Sequence, residues 1–227
     1  MRQYYMRKIL FSLIALSLVL GACGKKEEDP AETGVLPIDE DELIDNDKIA
    51  LTINDEEILG NVYNLMYVQT KIQLYNFGQD IKDTDLVKEM SINTLVEQEL
   101  LKQAANDEGI EVTEEEVESK YEELMADNGD NVNEFLEEYN LNADAFKNQI
   151  SFSLYLNEYM ETFLQVEVSE DEVKEFYEKL KEENENTSEF EEIKAQIKER
   201  IVTQKQQEKV KEILDELKEK STIETHI

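Results

Sequence analysis

Apolar positions in this chain recur every three or four residues over most of its length, and alternate with polar ones in only two short stretches. The first of these is Ile49, Leu51 and Ile53, followed by an Asn54-Asp55 turn and Ile58-Leu59, and it predicts a short strand or hairpin. The second is the tail Thr222 to Ile227. An isolated strand leaves its backbone unpaired, so the two ends of the body are expected to pair with each other.

Between them the helical period holds. Asn61 to Asn76 carries Val62, Leu65, Met66, Val68, Ile72 and Leu74, and Leu86 to Ala105 carries Val87, Met90, Leu95, Val96, Leu100 and Leu101, with Gly109 ending it. Thr113 and Glu116 have the S/T-x-x-E spacing in which hydroxyl and carboxylate satisfy each other's orphan N–H groups. They open a helix through Val117, Tyr121, Leu124 and Met125 that Asp127 to Asp130 is expected to stop. A short helix with Phe135, Leu136 and Tyr139 follows, then a longer one from Asn142 to Val166. Ser169 and Glu172 repeat the capping spacing before the stripe Val173, Phe176, Tyr177 and Leu180.

Ser188 to Lys220 reads as one long helix of about 50 Å at 1.5 Å per residue. Phe190, Ile193, Ile197 and Ile201 share one face, while Val210, Ile213, Leu214 and Leu217 lie on nearly the opposite one. That predicts a spine packing one lobe with its first half and another with its second; two helices broken near Gln204 to Gln207 are the alternative. The helix before it should pack antiparallel, with Leu180 near Phe190 and Val173 near Ile197 to Ile201. Both prolines, Pro30 and Pro37, precede this body. The fold class is mainly α: a helical body with a long C-terminal helix and a small sheet pairing N- and C-terminal strands.

Charge narrows the function. The formal net charge is -32 and the pI about 4.2, so nucleic acid and anionic headgroups are repelled and basic partners attracted. The N-terminus is the exception, with Arg2, Arg7 and Lys8 ahead of an apolar run from Ile9 to Leu20 that is too short to span a bilayer as a helix. Leu20-Gly21-Ala22-Cys23 then resembles the lipobox of bacterial lipoproteins. The resemblance implies a signal peptide at 1–22, and Cys23 as the lipidated, palmitate-bearing first residue of a chain anchored on the extracytoplasmic face of the cell membrane. Cys23 is the sole cysteine, so no intramolecular disulfide can form. Residues 23–47, polar and acidic, are expected to be a disordered linker, followed by a body at 48–227 divided into 48–166 and a C-terminal hairpin and strand at 167–227.

Four segments carry a wider resemblance: KIALTINDEEIL from Lys48 to Leu59, LVEQELLKQAANDEGIEVTEEEVESKYEEL from Leu95 to Leu124, VSEDEVKEFYEKL from Val168 to Leu180, and FEEIKAQIKERI from Phe190 to Ile201. Their order resembles the SurA and PrsA group of extracytoplasmic peptidyl-prolyl isomerase chaperones, and more loosely the C-terminal chaperone domain of trigger factor. In that group a parvulin isomerase domain is inserted between the equivalents of Leu180 and Phe190, where this chain has only Lys181 to Glu189. The resemblance therefore implies a chaperone module without its catalytic insert, acting on unfolded or partly folded extracytoplasmic proteins.

The residues themselves also point away from an enzyme. The one histidine, His226, sits in the terminal strand, and there is no Ser/His/Asp or Cys/His set, Gly-rich phosphate loop, CxxC or HExxH. Asp127 to Asn131 lacks the ligand spacing of a calcium loop, and no metal or cofactor is expected. Tyr63, Met66 and Tyr67, with Tyr155, Tyr159, Met160 and Phe163, are the candidate client-binding positions, because Tyr and Met adapt to varied apolar segments; the same stripes can equally be core. An adaptor or structural lipoprotein with one fixed partner is the rival reading, and a homodimer is possible in either.

Overall fold

The computed structural model describes residues 36–184 and 187–227; the expected signal peptide and Cys23 lie outside them. The described residues form two strands, six α-helices and a final strand: β1 (Ile49–Ile53), β2 (Glu56–Leu59), α1 (Gly60–Asn76), α2 (Thr84–Asp107), α3 (Glu114–Glu138), α4 (Ala143–Phe163), α5 (Glu170–Glu183), α6 (Phe190–Lys220) and β3 (Ile223–Thr225). They divide into two compact units. One ends at Asn157 and takes in Ser221–Ile227; the other is Glu158–Lys220.

In the first unit β1 is the central strand, antiparallel to both β2 and β3. The two ends of the body do pair, with Leu51 opposite Thr225 and Ile53 opposite Ile223. A bulge between Ile49 and Leu51 breaks the strict alternation. An extra residue in one strand turns its neighbours off the period of two, so Ala50 and Leu51 are both fully buried. Asn54, at φ 56°, makes the tight turn into β2. Its amide N–H donates to the Thr222 carbonyl at 2.8 Å, and its side-chain oxygen accepts from the Thr222 N–H at 3.0 Å, which clips β3 in place. His226 is a pairing residue: its backbone N–H donates to Ala50 O, and its ring Nε2 lies 2.8 Å from Thr52 Oγ1.

Residues 36–47, expected to belong to a disordered linker, are instead held on the body. Leu43 and Ile44 pack onto a core of Ala50, Leu51, Tyr63, Met66, Tyr67, Leu74, Val87 and Leu95. The Asn64 side chain accepts from Ile44 N–H and donates to Ile44 O. Asn46 and Lys48 carbonyls accept the first N–H groups of α1, from Asn61 and Gly60. A Cβ on Gly60 would stand 2.1 Å from the Asp45 carbonyl oxygen, so only glycine admits this approach. Acidic composition argued for disorder; two apolar side chains, an amide clamp and a buried ion pair outweigh it.

The capping spacings at Thr113–Glu116 and Ser169–Glu172 are realised in both directions. The expected stop at Asp127 to Asp130 is a kink inside α3, where Asn128 alone leaves helical geometry (φ -141°, ψ 21°) and the helix resumes through Val132 and Leu136. In the second unit α6 is continuous from Phe190, with no break at Gln204 to Gln207. It starts two residues after Ser188. Its first half packs on α5, with Val173, Tyr177, Ile197 and Ile201 buried together and Leu180, Phe190 and Ile193 at their margin. The aromatic rings of Tyr177 and Phe190 meet edge to face at 5.2 Å. Leu214 is buried and Val210, Ile213 and Leu217 are half-buried.

Candidate functional site

Six of the seven candidate client-binding side chains are buried. Tyr63, Met66 and Tyr67 are exposed by 2%, 6% and 1%, because α1 is covered on nearly every side and residues 42–44 lie against it. A helix that is buried all round offers no open stripe. Tyr155, Tyr159 and Met160 on α4 are buried too. Phe163 alone reaches solvent, with its ring against Tyr159 at 5.3 Å.

Glu42 and Lys71 form a buried ion pair in the first unit. Lys71 Nζ donates to both Glu42 oxygens, Tyr67 Oη donates to one at 2.6 Å, and the Asp39 N–H donates to the other at 2.8 Å. Both charged side chains are only 6% exposed. Burial alone would push the Glu42 carboxyl up, but the Lys71, Tyr67 and Asp39 hydrogen bonds together hold it below its ordinary value. Burial, aided by the Glu42 charge, pushes the Tyr63 hydroxyl up to about 12 and raises that of Tyr67 further. Both tyrosines stay protonated and able to donate. The arrangement is a structural clamp: the lysine and both carboxylate oxygens are already engaged with one another.

The accessible apolar surface lies elsewhere. At the end of the α1–α2 hairpin, Tyr75, Phe77, Leu86 and Met90 are exposed, Phe77 by 72%. On α3 the segment before the Asn128 kink has no buried residue, although Val117, Tyr121, Leu124 and Met125 form a stripe at helical spacing. These side chains lean on the cluster Val132, Leu136, Phe146 and Ile150 and are half-covered by it. Tyr121 meets Phe146 edge to face at 6.2 Å, and Lys147 Nζ sits 4.7 Å above the Tyr121 ring while donating to Glu118. Sequence reasoning passed over this stripe because a capped amphipathic helix looks like ordinary core; what marks it is that none of its side chains is fully buried among the described residues. Among the described residues no group of three or more His, Cys, Asp or Glu stands ready to hold a metal ion, and no helix is long and apolar enough to cross a membrane.

The first unit is thus closed by its own terminal strand, with apolar side chains left half-covered on one helix. Comparison with known proteins identifies the family. The chain belongs to the SurA-like N-terminal domain family, whose model matches residues 1–160. It is also similar to the foldase protein PrsA of Caldanaerobacter subterraneus subsp. tengcongensis, at 26% identity over 186 residues, covering 77% of this chain. The chain spans about half the length of that relative, 51%.

Proposed function

We propose that this protein is a membrane-anchored extracytoplasmic chaperone that holds unfolded secreted or envelope proteins and does not isomerise prolyl bonds. Membership of a chaperone-type domain family is the observation that carries the reading. The missing isomerase activity is supported by the connection between α5 and α6, residues 184–189, which occupies the interval where the SurA and PrsA group has its catalytic insert. The anchor rests on Leu20-Gly21-Ala22-Cys23. Cleavage after Ala22 makes Cys23 the first mature residue and the site of lipidation.

Such a surface supports the holding of non-native chains. Non-native chains expose apolar side chains that fold away later, and burying them on a half-covered helix face is favourable at about 25 cal/mol per Å2. Adaptable Tyr and Met side chains accept many sequences. The test is in-cell crosslinking from α3 together with a prolyl-peptide isomerisation assay on the purified full chain. Many unrelated secreted proteins captured and no isomerisation are expected. Capture of a single tight partner makes the protein an adaptor instead, and measurable isomerisation overturns the non-catalytic assignment.

A further inference from the structure

The chaperone reading leaves open where a client docks and which clients are preferred; the first half of α3 and the facing part of α4 answer both, resting on that reading. Residues 114–157 contain twelve acids and two lysines, a local formal charge of -10. Both lysines are already engaged, Lys120 with Glu123 at 2.9 Å and Lys147 with Glu118 at 2.5 Å. At 100° per residue Glu114 lies in line with Val117, Tyr121, Leu124 and Met125, and Glu118 and Glu122 run along one side of that stripe. Further along α3, burial and, less strongly, the neighbouring Glu134 carboxylate push the Glu138 carboxyl up.

A half-covered apolar stripe with acids beside it is selective by charge. A second copy of this chain has the same net charge of -32 and is repelled from it, as is an anionic lipid surface. A polypeptide whose apolar side chains are flanked by lysine or arginine satisfies both parts at once. We infer that the half-covered α3 stripe, Val117, Tyr121, Leu124 and Met125, with the acids beside it, is the docking site for non-native segments of this kind. Apolar contact supplies the affinity, and the acids set which segments arrive and stay.

Two labelled peptides test this, sharing one apolar centre and flanked by Lys in one and Glu in the other, followed by fluorescence anisotropy with the purified full chain. At low salt the Lys-flanked peptide should bind at least tenfold more tightly, with the ratio shrinking as salt rises because exposed charges are screened over about 10 Å at 0.1 M. Glu114→Lys with Glu122→Lys should cut that ratio at least fivefold while the protein stays folded. Both are exposed, and Glu114 contributes only the modest helix-dipole effect of a first-turn acid. Tyr121→Ser with Leu124→Ser should weaken both peptides together, with circular dichroism to verify that the helices persist. Equal binding of the two peptides, or a ratio untouched by the charge reversals, overturns the site. If the wild type still suppresses client aggregation in that case, the chaperone function stands and only its location is wrong.

Discussion

Replacing Lys71 by Met removes the cation that α1 places against Glu42 while keeping most of the apolar stem of that side chain. Glu42 then remains buried with only Tyr67 Oη and the Asp39 N–H to hold its charge. It can accept the loss or take up a proton, and the second route caps the cost. Protonating at pH 7 a carboxyl whose ordinary value is 4.5 spans 2.5 pH units at about 1.4 kcal/mol each, roughly 3.5 kcal/mol. That agrees with the roughly 3–5 kcal/mol that follows from breaking a buried pair on one side. At pH 5 the same step costs about 0.7 kcal/mol, while the wild-type carboxyl, held low, stays ionised in the folded state. The stability difference between wild type and Lys71→Met in urea unfolding should therefore be several-fold larger at pH 7 than at pH 5. A difference below about 1 kcal/mol and equal at both pH values would mean that residues 42–44 leave the body cheaply, and the clamp argument would be refuted.

Truncation after Lys220 removes β3, the Asn54–Thr222 clip and the packing of Ile227; it should lower stability by about 2 kcal/mol or more and leave β1 as an open edge prone to aggregation, whereas an unchanged urea midpoint would show the strand to be dispensable. In the second unit the Lys205 hydrogen bond, with those from Ser169, pulls the Glu172 carboxyl down to about 2. Its stabilising contribution is complete above the ordinary 4.5 and fades as pH falls toward 2; an NMR titration should place its midpoint near 2 and Lys205→Ala should raise it, and a wild-type midpoint of 4.5 contradicts the contact. Cys23→Ser should move the protein out of the membrane fraction or leave it uncleaved, and a cleaved, fully membrane-bound variant would exclude lipidation at that residue.

The legible parts of this fold are those written locally. Thr113 with Glu116 and Ser169 with Glu172 name helix starts from residues three apart, and the α5 and α6 stripes pair because the connection between them is short. Even the long-range pairing of β1 with β3 was readable, since two alternating stretches in an otherwise helical chain have only each other. What escaped depends on contacts between distant residues. Glu42 is one acid among many, and only Lys71, 29 positions on, with Asn64 holding Ile44, turns an acidic stretch into part of the core. Tyr63 and Tyr67 look the same in sequence whether they line a groove or lie under another segment. Asn128 and Gly129 signal a turn, but Val132 and Leu136 bury with Phe146 and Ile150 of α4 and Met125 packs on the same cluster, so the chain kinks and continues instead of stopping.

The claim that this protein holds non-native chains is tested most directly by light scattering. A reduced, unfolding basic protein is mixed with increasing amounts of the full chain at low salt. Scattering should fall with the amount added and be abolished near stoichiometric ratio, with Tyr121→Ser and Leu124→Ser weakening the effect. Undiminished scattering at several-fold excess of the folded wild type would contradict it.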